Sequence, residues 1–229
     1  MLILNRRIFR HKIFYLFFFL SALINVGGLY SQSINTFKDT LRCEYLAKDA
    51  ERRHGLPENI LLSISRVESG YKKVDGVRRA WPWALNAGGD SAYLPTKEEA
   101  LDSLNERIKK GVTNIDVGCM QLNFRWHKKF FKNLSDMINP EQNVDYGARF
   151  LKKLHQRHGS WEKAVKHYHS SKSKFNIRYY KKVKAVWQKE NAQSTLKPTL
   201  LASLSKKDDE IGQKTLDQRE KPVLSLIHI

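Results

Sequence analysis

The sequence is poor in acids for its load of cations, with 23 Asp and Glu against 41 Lys and Arg, a formal charge of +18 and a pI near 9.9. Such a chain is drawn to polyanions. It lacks, however, any run of basic residues interleaved with aromatics and any nucleic-acid motif, so nucleic acid is set aside as the partner. It also lacks a His-Glu-x-x-His pattern. His155, His158, His167 and His169 stand at spacings that do not by themselves build a zinc site, so no metal and no cofactor is expected. There is no internal repeat.

Missing too is an apolar run long enough to cross a bilayer comfortably, which takes roughly 20 helical residues. Residues 13–26 are apolar apart from Ser21 and Asn25, and Arg6, Arg7, Arg10 and Lys12 precede them. A short apolar run behind a basic stretch reads as a secretory signal, placed within residues 1–31, with an uncleaved membrane anchor as the alternative. No cysteine follows the run, which excludes lipid attachment there. Only two cysteines exist, Cys43 and Cys119. In an oxidising compartment they pair in one way only; otherwise they are two separate buried thiols.

The length suits one domain, since domains usually run to about 100–200 residues. Helical periodicity marks residues 40–188. Leu46, Ala47 and Ala50 recur at helix spacing before Gly55, and a second helix is expected from Pro57 to Gly70 on Ile60, Leu61, Ile64 and Val67. Thr96 and Glu99 form a capping box for a helix that closes at Gly111. Asn139-Pro140 opens a helix that runs to Gly159, Ser160 caps the next, and Phe175, Tyr179, Val183 and Val186 lie along a last one. Between Tyr71 and Tyr93, Gly76, Pro82, Gly88 and Gly89 suggest a long ordered loop or small hairpin. Residues 189–229 read as a polar tail of low order.

Glu68 falls four residues after Ile64 and seven after Leu61, on the apolar stripe and in the last turn before Gly70. Desolvation and the negative end of the helix dipole both disfavour its charged form, which suits a general acid near neutral pH. On spacing alone a boundary glutamate that swings out to solvent, or meets Arg66 or Lys72, is the stronger reading.

Three separated motifs overturn it. Glu68-Ser69-Gly70 after an apolar helix, Gly118-Cys119-Met120-Gln121 about fifty residues on, and Tyr168 late in the domain resemble the soluble lytic transglycosylase (SLT) domain, a family with a goose-type-lysozyme-like fold. The Trp81-Pro82-Trp83-Ala84-Leu85-Asn86 loop, Asp116-Val117 before Gly118, and Tyr168-His169-Ser170 extend the resemblance. Two departures stand out: His167-Tyr168-His169 where members often carry Ala-Tyr-Asn, and Cys119 where they carry Leu.

The resemblance implies a mainly α fold of the lysozyme-like α+β class. It implies scission of the β-1,4 bond between N-acetylmuramic acid and N-acetylglucosamine in peptidoglycan, with 1,6-anhydro ends and Glu68 as acid and then base. It further implies that Ser69, Met120, Gln121, Asn123 and Tyr168 line the cleft, that Tyr168 orients Glu68, and that Trp81, Trp83 and Tyr146 meet sugar or pack as core. The expected place is the periplasm or cell envelope, with an envelope secretion or appendage system as one partner beyond the glycan strands. Two alternatives stay open: a hydrolytic lysozyme in which Asp116 activates water, and a non-catalytic wall-binding component of an envelope machine.

Overall fold

A computed structural model describes residues 38–39, 41–72 and 78–195, and the expected signal segment and the chain beyond residue 195 lie outside them. Helix α1 (41–54) buries Cys43, Ala47 and Ala50 completely and ends at Gly55, whose φ of 65° is the left-handed geometry that stops a helix. Helix α2 (Ile60–Ser69) begins three residues later than the Pro57 start expected from sequence. Its first turn carries no side-chain cap of its own. Glu51 of α1 supplies one instead, accepting from the backbone N–H groups of Asn59 (2.9 Å), Leu61 (2.7 Å) and Leu62 (3.0 Å). Three orphan donors of α2 are thus satisfied by one carboxylate from a neighbouring helix.

The segment after α2, expected as a loop or small hairpin, folds into strands. β1 (Gly70–Lys72) pairs antiparallel with β2 (Arg78–Ala80), and β3 (Ala84–Ala87) with β4 (Asp90–Tyr93). After α3 (Lys97–Lys109), capped by Thr96 Oγ1 at 3.2 Å from Glu99 N, come β5 (Ile115–Val117) and β6 (Leu122–Asn123), which complete a four-stranded antiparallel sheet in the order β4-β3-β5-β6. Short α4 (Phe124–His127) and α5 (Leu134–Ile138) lead into α6 (Pro140–His158), α7 (Trp161–His169) and α8 (173–195). Asn139 and Ser160 cap α6 and α7. The fold is mainly α with small sheets, of the lysozyme-like class.

The expected domain end at residue 188 falls inside α8. Trp187 Nε1 donates to the Glu58 carbonyl at 2.7 Å, and Asn59 Nδ2 donates to Asn191 Oδ1 at 2.9 Å, so the last turns of α8 brace the start of α2. At the other end of α2, Arg66 makes a bidentate pair with Glu44 of α1 and an ion pair with Glu190 of α8, while Arg79 of β2 reaches Glu44 at 3.1 Å. The helix that carries Glu68 is therefore held from three sides.

Candidate active site

The site is built around the turn at residues 118–121. Gly118 has a φ of 77°, and a Cβ there would come within 2.7 Å of Asn143 Nδ2, so only glycine fits. Asn143 on α6 is wholly buried and fastens the turn: its Oδ1 accepts from Met120 N (2.9 Å), and its Nδ2 donates to Val117 O and Met137 O (both 2.9 Å). Cys43 and Cys119 are joined by a disulfide with a Cα–Cα distance of 5.7 Å, tying α1 to this turn. Ser69 is also buried, and its hydroxyl donates to the Cys119 carbonyl at 2.8 Å. The end of α2 and the turn thereby become one rigid block, with Glu68 at its edge.

Glu68 keeps 15% of its side chain exposed, enough for a substrate atom to reach. Burial is the largest influence on its carboxyl and pushes the pKa up to about 8; the charge of Asp116 raises it further, while the Tyr179 hydroxyl and Lys182 pull it down. His169 Nδ1 stands 4.0 Å from Glu68 Oε1. The Tyr179 hydroxyl is buried beside the carboxylate without a partner of full hydrogen-bond geometry among the described residues, and its own pKa is driven well above 10 by burial and by Glu68. The His169 and Tyr179 rings stack at 4.4 Å, and His169, Tyr179 and Lys182 share the wall of a cavity of about 390 Å3. A carboxylic acid kept neutral at pH 7 next to an open cavity can give a proton to a leaving oxygen.

The other expected residues are distributed differently. Tyr168 donates to the Met120 carbonyl at 3.0 Å, and so holds the turn, not Glu68. Its pKa is raised by burial and, next, by the nearby Glu68 charge. Met120 is buried with its side chain against Gly147, and Gln121, at φ 45°, turns its Nε2 back to Ala84 O (3.1 Å) and Gly118 O (3.0 Å). Asn123 Nδ2 donates to Asp116 Oδ1 at 2.8 Å. Burial raises the Asp116 pKa, and this contact lowers it. Trp81 and Trp83 offer no flat face to a sugar: both are buried, and their indole N–H groups donate to Leu94 O (2.8 Å) and Asp39 Oδ2 (3.2 Å). Tyr146 is buried as well, 2.9 Å from His127 Nδ1.

Two features were not read from the sequence. Tyr179 was read only as one of the residues marking the last helix, because spacing along a helix says nothing about where a hydroxyl ends. Exposed aromatic surface is offered by Trp126 (66% exposed) and Phe130 (56%), which line a cavity of about 330 Å3 with His127 and Tyr146; the run Phe124-Arg125-Trp126-His127 directly after Asn123 was the available signal.

Compared with known families, residues 45–192 match the transglycosylase SLT domain, well over half of the chain. The chain belongs to the SLT transglycosylase domain family. Members of this family cleave peptidoglycan in the manner of lytic transglycosylases, so the activity class and the cell-wall substrate follow at family level. No curated protein and no solved structure matches the chain. Within the SLT domain, Glu68, Gly118, Met120 and Gln121 sit as described above around one turn, and Tyr179 joins them from α8.

Proposed function

We propose that this SLT protein is a lytic transglycosylase that cuts the β-1,4 bond between N-acetylmuramic acid and N-acetylglucosamine and leaves 1,6-anhydro ends. The supporting observation is Glu68, a carboxyl with its pKa pushed up to about 8, whose neighbours His169 and Tyr179 line a cavity. Most glycosidases need two carboxylates. Here Glu68 protonates the glycosidic oxygen as the C1–O bond breaks, the muramyl 6-hydroxyl oxygen bonds to C1, and the hydroxyl proton returns to the Glu68 carboxylate. Atoms balance without water, and the acid is regenerated. A well-held intramolecular nucleophile is worth on the order of 7–11 kcal/mol, which makes a second catalytic carboxylate dispensable. His169, in the place where relatives often carry asparagine, and Tyr179 stand beside the carboxylate and are the residues that would orient it once substrate is bound.

A second reading, hydrolysis with Asp116 as the base that activates water, is favoured by one observation: the Asp116 charge reaches Glu68 and raises its pKa. Against it, the Asp116 carboxyl is only partly exposed, is itself raised in pKa and is engaged by Asn123. Export through residues 13–26 to the periplasm or cell envelope, and service to an envelope secretion or appendage system, belong to the same proposal. Glu68→Gln is expected to abolish release of 1,6-anhydro muropeptides from purified sacculi while the circular dichroism spectrum stays unchanged. Undiminished release would remove Glu68 from its role.

A further inference from the structure

Immediately beside Glu68 lies a second, larger cavity of about 570 Å3, within the roughly 300–1,000 Å3 range of ligand pockets. Its apolar wall is Val67, the residue before Glu68, together with Val186 of α8. Its polar lining is almost wholly cationic. Arg66 is neutralised by Glu44 and Glu190. Arg78, Lys182 and Lys189 make no ion pair or hydrogen bond among the described residues, and with Glu190 committed to Arg66 the lining is net positive. The Arg78 side chain is drawn across Gly70: a Cβ on that glycine would come within 2.6 Å of Arg78 Nε. One cation is therefore fixed two residues past Glu68, and Lys182 stands between this cavity and the one at His169 and Tyr179.

We infer that this cationic pocket binds the carboxylates of the stem peptide carried by a muramyl residue next to the bond that is cut, and makes the enzyme prefer peptide-bearing over bare glycan. The inference rests on the activity proposed above. A strand stripped of its peptides keeps one lactyl carboxylate close against each muramyl ring, whereas the peptide branch carries its carboxylates several bonds away from the glycan. Val67 and Val186 cover the aliphatic part of such a branch, and Arg78 and Lys189 form charge-assisted hydrogen bonds to its anionic end. The charges are closer than a Debye length of about 10 Å to any ligand in the cavity, so part of the attraction survives physiological salt.

The test uses uncrosslinked glycan strands with their stem peptides and the same strands stripped by an amidase. Wild type is expected to show a higher kcat/KM on peptide-bearing strands. Arg78→Glu and Lys189→Glu are each expected to lower it about tenfold through KM, the size of one charged hydrogen bond, with cleavage of stripped strands unchanged. Equal losses on both strands, or none on either, would overturn the inference. Calorimetric binding of a peptide-bearing fragment to Glu68→Gln, with and without Lys189→Glu, separates the two claims. Weaker binding in the double variant upholds the pocket even if wild type cuts nothing, and identical binding overturns it even if wild type cuts well.

Discussion

At the scale of single residues the account turns on how Glu68 keeps its proton. Burial outweighs the stabilising Tyr179 hydroxyl and the Lys182 charge, leaving the carboxyl with a pKa of about 8. The acid form is present below that pH and lost above it, so the kcat/KM profile should fall on an alkaline limb near pH 8. Tyr179 favours the ionised form, so its removal must move the limb upward. Tyr179→Phe is expected to shift it to higher pH and to lower the rate at neutral pH, through poorer orientation of the carboxylate. A profile identical to wild type would mean that Tyr179 does not act on Glu68. This residue shows where reading a sequence stops. Its i, i+4 relation to Val183 announces a buried side, but the direction of its hydroxyl depends on how α8 docks against α2. Trp81 and Trp83 show the same limit from the other side, since an indole that could stack on sugar and one that packs a strand onto a core have the same sequence.

Elements were legible where their ends carry their own chemistry. Thr96, Asn139 and Ser160 cap α3, α6 and α7, and Gly55 and Gly159 in left-handed conformations close α1 and α6. The start of α2 was misplaced because its cap is not local: Glu51 reaches it from α1. Between Tyr71 and Tyr93 a small hairpin was one of the two readings, but the individual strands, and β5 and β6 beyond them, were not placed because each is two to four residues long, too short for alternation to register. Glu51→Ala should leave three buried N–H groups without a partner. A loss of about 3 kcal/mol in chemical denaturation is expected, since each stranded donor costs roughly 1–3 kcal/mol and water recovers part of it. A loss under ~0.5 kcal/mol would show that α2 does not depend on this cap.

For the molecule as a whole, the link from Cys43 to Cys119 joins chain segments 76 residues apart and ends one residue from Met120. Loop closure of that size is worth ~4 kcal/mol in the unfolded chain. Reductant is therefore expected to lower the melting temperature and to depress activity before global unfolding, because the turn beside Glu68 loses its tie to α1; an unchanged peptide map with and without reductant would contradict the pairing. The excess of cations, legible from composition alone, resolves in part into the pocket next to Glu68, which no composition could have located. The most direct test of the central claim is digestion of purified sacculi in isotopically labelled water, followed by mass spectrometry of the new ends. Glu68 acting alone with the substrate's own hydroxyl predicts products one water lighter than reducing ends and free of label. Reducing ends that carry labelled oxygen would contradict it and favour the hydrolytic reading.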